Sequence, residues 1–304
     1  MRRVLLWMAR NRMLRDLVPR LWFARRAVRR FMPGESMDDA LAAAERYRGD
    51  GIGAIFTHLG ENLTDLSEAD AVAAHYRDLL DRIVARGIDG EISVKLTQLG
   101  LDLDPEVCAR HLGVLAARAR EIGAGTVWID MEGSAYTETT VALYEQLEPE
   151  HPNLGICLQA YLKRTAADIT RLAPLHPSIR MVKGAYDEPA RIAYRSRSEV
   201  DASFVSQSVV ILRDGAERLG LGTHDVRLIE QIATSADVAG ISRDAYEVQM
   251  LYGIRTDQLR RLSRAGYRAR VLIAYGEFWY PWYVRRLAER PANVLFVLRQ
   301  LLPW

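Results

Sequence analysis

Arg180 and Lys183 stand three residues apart in Ile179-Arg180-Met181-Val182-Lys183-Gly184-Ala185-Tyr186, an apolar, β-branched run that ends in a glycine. Such a run reads as a buried parallel strand meeting the loop at its carboxyl end. A fully buried strand cannot hide two unpaired cations. Either they pair with carboxylates or snorkel to the strand's ends, or Gly184 lets a ligand approach the backbone and the cations meet its negative or electron-rich atoms. Other apolar runs end in the same manner: in Lys95, in Asp130-Met131-Glu132, in Gln159 with Tyr161, in Thr223-His224-Asp225, and one carries Gln249. One polar strand end is commonly structural. Six together define a site.

The residue types limit the chemistry. His224, Asp225, Asp130 and Glu132 are candidate metal ligands, but Lys95, Arg180 and Lys183 would oppose a further positive charge. His58 is a lone imidazole on its strand. A mouth lined with cations, glutamine and aromatic groups suits a phosphorylated, electron-poor cofactor better than a metal. Near the C-terminus, Arg285 and Arg286 are adjacent in a helical pattern, about 100° apart around the axis. They form a solvated face, with Arg285 paired to Glu289 one turn on, or a planar guanidinium clamp for a substrate carboxylate.

The elements that must carry these groups follow a regular alternation. Strands are expected at 51–59, 92–96, 126–130, 154–158, 179–183, 221–223, 246–251 and 270–274. Helices fall between them, at 70–86, 105–122, 139–147, 166–172, 199–219, 226–232 and 257–264, and two more close the chain at 282–289 and 294–302. A helix through about Tyr47, opened by Ser36 with Asp38 and Asp39, precedes the series. Eight strand–helix units in 304 residues fit a (β/α)8 barrel of the TIM type. A doubly wound sheet would show a glycine-rich turn after its first strand. Here Gly51 and Gly53 precede the strand, and no GxGxxG occurs. In a barrel the strands' carboxyl ends converge on one mouth, so the polar ends meet there.

Composition excludes several alternatives. With 49% hydrophobic residues, 26% charged and a net charge of +2, the chain has the balance of a globular protein rather than of a nucleic-acid binder. Its two cysteines, Cys108 and Cys157, lack CxxC spacing, so neither a disulfide scaffold nor a cysteine metal site is expected and a reducing compartment is. No apolar run approaches the length of a membrane span. The charge is unevenly placed, however: ten arginines and one acid, Asp16, precede Pro33. Between them Leu14, Leu17, Val18, Leu21 and Trp22 form one helical stripe, which either caps the barrel or lies on an anionic membrane surface. The expected organisation is a basic helical segment over 1–50 and a barrel over 51–304.

The motifs Ser93-Val94-Lys95-Leu96-Thr97-Gln98-Leu99-Gly100, Leu158-Gln159-Ala160-Tyr161, Arg180-Met181-Val182-Lys183-Gly184-Ala185-Tyr186, Thr223-His224-Asp225 and Tyr283-Val284-Arg285-Arg286-Leu287-Ala288-Glu289 resemble, in order, those of the monofunctional proline dehydrogenases. The resemblance runs from about Gly51 to the C-terminus. It implies a barrel that holds FAD without a Rossmann motif and oxidises L-proline to 1-pyrroline-5-carboxylate, passing electrons to a quinone-type acceptor. It further implies that Asp130 and Arg180 are the active-site pair, with Arg180 near the flavin N5. Lys95, Arg285 and Arg286 would bind the proline carboxylate, and Tyr186 and Leu251 would wall its ring. Met131, Gln159, Lys183, Gly184, Ala185, Thr223 and His224 would hold FAD. A cytoplasmic enzyme, peripheral on the inner face of the cell membrane, is the expected setting. The last strand departs from the family's Tyr-x-Pro-x-Gly: Leu272-Ile273-Ala274-Tyr275-Gly276 lacks both the tyrosine and the proline, which leaves hydroxyproline or another cyclic imino acid as an alternative substrate. A barrel that binds a flavin or a phosphorylated ligand without turnover is the alternative of another class.

Overall fold

The sequence alternation becomes eight parallel strands that close on themselves in chain order. The structure is a computed structural model and describes residues 28–60, 63–280 and 282–284, with Asn11, Met13, Leu17 and Val18. The strands are β1 (Gly53–His58), β2 (Gly90–Val94), β3 (Val127–Ile129), β4 (Leu154–Gln159), β5 (Ser178–Val182), β6 (Arg218–Gly222), β7 (Tyr246–Leu251) and β8 (Arg268–Tyr275). Pairing of β1 with β8 closes the barrel, with Ile55 opposite Leu272. The helices are α1 (Met37–Glu45), α2 (Leu66–Ala85), α3 (Pro105–Ile122), α4 (Thr137–Leu147), α5 (Thr165–Leu172), α6 (Arg197–Arg213), α7 (Val226–Val238) and α8 (Thr256–Arg264).

Local chemistry sets the helix ends. Asp104 accepts hydrogen bonds from the Glu106 and Val107 amides, Pro105 opens α3, and Gly123 closes it at φ 69°. Asp65 caps α2, while Ser36 with Asp39 and Ser196 with Glu199 form reciprocal capping boxes on α1 and α6. Helix α1 buries Ala40, Leu41 and Ala43 in the same core as the barrel strands.

Helix boundaries differ from expectation most at α6 and α7, and α7 runs on to Val238 rather than stopping at Ile232. The helix foreseen over 199–219 ends at Arg213, and β6 begins at Arg218 rather than Leu221. Gly215 takes a left-handed φ of 76°, which stops the helix. Arg218 then enters the barrel, where Glu91 draws its guanidinium to 2.8 Å. The apolar run before Arg213 hides this break, and the glycines of Leu219-Gly220-Leu221-Gly222 weaken the strand signal.

Along each strand, alternate side chains face the helices and the barrel interior. Ile92, Ile129, Ile156, Ile179, Leu219, Val248, Val271 and Ile273 belong to the buried core. The interior is charged at the amino-terminal end of the strands. Glu91, Arg218, Glu247 and Arg270, each less than 10% exposed, form a closed ionic floor. Arg218 lies 2.8 Å from Glu91 and 3.6 Å from Glu247; Arg270 lies 3.1 Å from Glu247, 3.6 Å from Glu91 and 2.8 Å from Asp89. Burial pushes the Glu91 carboxyl upward, but Arg270 and Arg218 outweigh it and hold the group below its ordinary range.

A second apolar cluster sits beyond β8. Val28, Phe31 and Met32 pack with Trp279, Tyr280, Trp282, Tyr283 and Val284, and the Trp279 indole donates to Glu35 at 3.0 Å. The segment before α1 is thus fastened to the start of the helix expected over 282–289. The remainder of that helix, the one over 294–302 and most of the arginine-rich stretch lie outside the described residues. No helix among the described residues is long and apolar enough to cross a membrane.

Candidate active site

Arg180 sits within β5 and points into the barrel, 2% exposed. Its Nη1 donates to Asp130 Oδ1 and to Ser93 Oγ, each at 2.9 Å, and its Nε donates to Gln249 Oε1 at 2.6 Å. Four strands therefore meet on one guanidinium: β2 through Ser93, the end of β3 through Asp130, β5, and β7 through Gln249. Lys95, just beyond β2, reaches the other Asp130 oxygen at 3.4 Å. Burial raises the Asp130 carboxyl, but Lys95 and then Arg180 overcome it, and Ser93 adds a hydrogen bond, so the acid is held below its usual range. Asp130 is an anion at neutral pH, and its side chain keeps 21% exposure toward the mouth.

The two readings of the β5 cations both find support. Lys183 pairs with Asp201 of α6 and lies 3.9 Å from Asp225, so it meets carboxylates. Arg180 is paired as well, yet its Nη2 is buried with no hydrogen-bond partner among the described residues. A guanidinium with one edge left over is built to meet something further.

The remaining strand ends are placed as the alternation requires. Gln159 is 3% exposed, and its amide donates to the Met131 and Glu132 carbonyls at 3.3 Å, which ties β4 to the turn after β3. The Gln159 Oε1 has no partner among the described residues. Gly184 adopts φ 109°, and a Cβ there would overlap the Tyr161 ring. Only glycine permits both the conformation and the close approach. Ala185 and Tyr186 follow it, half-buried. Beside them, the Thr223 hydroxyl accepts from the Asp225 amide at 3.2 Å and the His224 carbonyl accepts from Arg255 at 3.0 Å. Leu251 is half-buried next to Leu272, its register partner on β8.

Asp130, Glu132, His224 and Asp225 do not converge as a ligand set. Glu132 accepts from the Thr97 hydroxyl at 2.9 Å, and Asp225 faces Arg227 at 3.1 Å and Arg197 at 3.3 Å. No group of three such side chains among the described residues is arranged to hold a metal ion. Arg285 and Arg286 lie outside the described residues.

Three contributors escape a reading by strand ends. Ser93 precedes the strand end, Asp201 reaches Lys183 from a helix, and Trp128 lies beneath Arg180 with its ring centroid 4.6 Å from the guanidinium carbon. The usable signal was the set of glycines at inward positions, since a Cβ at Gly155 would come 2.6 Å from the Trp128 ring.

Fold and site together define a (β/α)8-barrel enzyme whose chemistry lies at the carboxyl ends of the strands. The family model for proline dehydrogenase matches residues 40–299. Proline dehydrogenase 1 of Bacillus subtilis subsp. natto is 35% identical over 302 residues, covering 99% of both chains. The proline dehydrogenase of Deinococcus radiodurans is 35% identical over 280 residues, 90% of this chain and 89% of its own. The crystal structure of proline utilization A from Bdellovibrio bacteriovorus, inactivated by N-propargylglycine, superimposes with a TM-score of 0.83 at 23% identity; the match covers 94% of this chain and 38% of that longer one. The chain belongs to the proline dehydrogenase family, oxidoreductases of proline catabolism.

Proposed function

We propose that the chain oxidises L-proline to 1-pyrroline-5-carboxylate with FAD held at the barrel mouth, and passes the electrons to a quinone-type acceptor. The observation that carries the reading is the buried Arg180, paired to Asp130 yet with Nη2 unfilled. The residues fit a flavin: an unused guanidinium edge, an unused Gln159 carbonyl oxygen and a glycine turn closed against Tyr161. Met131, Gln159, Lys183, Gly184, Ala185, Thr223 and His224 would hold the cofactor, with Arg180 and Asp130 at its reactive end. FAD, when bound, supplies the hydride acceptor.

The chain's own groups supply orientation and electrostatics. Lys95 spends one donor on Asp130 and keeps others for a carboxylate, which Arg285 and Arg286 would clamp alongside it. Tyr186 and Leu251 would wall the ring, so that the carbon beside the nitrogen is presented and water is excluded. The ring nitrogen must be unprotonated for the carbon to lose hydride, so the rate should rise with pH until the amine is free.

The decisive measurement is the visible spectrum of the purified protein. A yellow protein that bleaches on adding proline without air supports the reading. A yellow protein unmoved by proline favours the non-catalytic flavin barrel, and a colourless one counts against both. Leu272 in place of a ring-packing tyrosine favours a second substrate reading, hydroxyproline or another cyclic imino acid, which the same bleaching compares.

The arginine-rich start motivates one more element: attachment to the inner, anionic face of the cell membrane, where a quinone resides. Salt should weaken it. If deleting the residues before Pro33 leaves binding to anionic vesicles undiminished, this element is wrong.

A further inference from the structure

Gln249 is among the most tightly held polar side chains in the barrel, 3% exposed. Its Oε1 accepts the Arg180 Nε–H at 2.6 Å, and its Nε2 donates to Glu247 Oε1 at 2.6 Å. A guanidinium has only donors and a carboxylate only acceptors, so the amide has one permitted orientation. Glu247 is in turn 1% exposed and fixed by Arg270 at 3.1 Å and Arg218 at 3.6 Å. The ionic floor is thereby hydrogen-bonded to the active-site arginine through this amide.

Space for that amide comes from β6. A Cβ on Gly220 would lie 2.6 Å from Gln249 Nε2 and 2.9 Å from its Cδ. Gly220 is not among the residues of positive φ, so its backbone tolerates any residue. What is required there is the missing side chain.

We propose that Gln249, seated in the gap left by Gly220 and braced by Glu247, is a positioning residue that holds the Arg180 guanidinium up toward the mouth. The alternative position for Arg180 is built into the same column. Without the amide, the buried Glu247 carboxylate is the next acceptor below Arg180, and opposite charges in a dry interior attract strongly. The neutral amide satisfies both partners while keeping them apart. Ser93, Asp130 and Trp128 fix the other edges and the face of the guanidinium, so that Nη2 alone remains for a ligand. This inference rests on the flavin reading above for its catalytic consequence, but the brace itself is a property of the polypeptide.

Two substitutions test it in the full-length protein. Gly220→Ala removes no polar group and crowds only the far end of the Gln249 side chain, so the fold should hold. Gln249→Leu removes the amide and leaves Arg180 and Glu247 facing each other. Both are expected to retain bound flavin, to lower kcat for proline by roughly tenfold or more with KM changed by less than about threefold, and to shift the flavin midpoint potential negative as the cation withdraws. In arginine-15N-labelled protein, the Arg180 Nε–H, assigned by its loss in Arg180→Met, should be protected from exchange and should lose that protection in both variants. Should Gln249→Leu fail to fold, Gly220→Ala decides alone. Native kcat, potential and Nε–H protection in a folded Gly220→Ala protein overturn the proposal. If the parent protein is colourless or inert to proline, the flavin reading has failed, and the exchange measurement still decides the brace.

Discussion

Arg180 lies over Trp128 inside the barrel, its guanidinium carbon 4.6 Å from the centre of the indole ring. The same ring lies 5.0 Å from the Arg218 guanidinium, and its Nε1 donates to Glu91 at 2.7 Å. Trp128 therefore divides two layers of charge, the one around Arg180 at the mouth and the ionic one on the floor. Its aromatic face offsets part of the cost of burying both cations, and its one polar atom is satisfied by the floor.

Replacing Trp128 should be costly in a graded way. Trp128→Leu removes both cation–π contacts and the hydrogen bond and leaves a cavity, for a loss of about 3–5 kcal/mol. Trp128→Phe keeps an aromatic face and loses the hydrogen bond to a charged acceptor, about 1.5–3 kcal/mol. Urea denaturation of the two proteins gives the comparison. If phenylalanine is no better than leucine, the stacked face contributes nothing.

Asp130 makes stability depend on pH in a defined direction. Its folded carboxyl is held below the usual range, so its contribution is complete above the unfolded value of roughly 3.9. It is lost as pH falls through the lower folded value. Asp130→Asn should therefore be less stable than the parent at pH 7, by up to about 3 kcal/mol, and the gap should close below about pH 4. A gap that stays constant into strong acid would show that packing rather than charge is responsible. Turnover of proline should fall in the same variant, since its amide cannot balance Arg180.

Gly184→Ala concentrates two penalties at one position, a left-handed φ of 109° and overlap with the Tyr161 ring. The expected cost is more than about 1 kcal/mol, together with a lower flavin content after purification, because the turn at the mouth must open. A thermal melt and the ratio of visible to ultraviolet absorbance report the two effects. Native values for both would return Gly184 to an ordinary turn.

Much of this arrangement is legible in the chain because the barrel writes it locally. Each strand is a short run between helical patterns, and the helices opened by Ser36, Asp65, Asp104 and Ser196 begin at capping side chains, so eight units and the polar strand ends could be read in order. What escaped was non-local. Asp201 finds Lys183 from a helix eighteen residues on, and nothing in either segment announces the partner. Glu91 and Arg218 escaped for a related reason: charged residues at the amino ends of strands look like loop or helix surface until the barrel closes over them. Their pairing at 2.8 Å exists only across the interior. Glycines mark these places, because Gly53 makes room for Arg270, Gly155 for Trp128 and Gly220 for Gln249. In sequence they read merely as weak strand formers.

Leu272 yields the prediction about substrate choice. It faces the interior beside Leu251, and both are half-buried at the level of the mouth. Neither of two aromatic neighbours fills the space that a tyrosine would take. Tyr275 is fully buried with its hydroxyl 2.8 Å from the His75 ring nitrogen, and its ring lies 5.3 Å from that of His58. Trp279 is fastened to Glu35 in the cluster beyond β8. At this point the barrel interior therefore presents two leucine side chains without a hydroxyl. A pocket that has lost steric contact discriminates poorly against an added group, and the missing polar contact should weaken proline by about 1 kcal/mol. Leucine offers no hydrogen bond to a substrate hydroxyl, so tolerance of hydroxyproline is expected rather than preference for it. Leu272→Tyr should raise kcat/KM for proline and raise the proline-to-hydroxyproline ratio, measured side by side with one electron acceptor. A ratio that fails to rise would mean that Leu251 and Leu272 already close around the ring, and that selectivity is set elsewhere in the mouth.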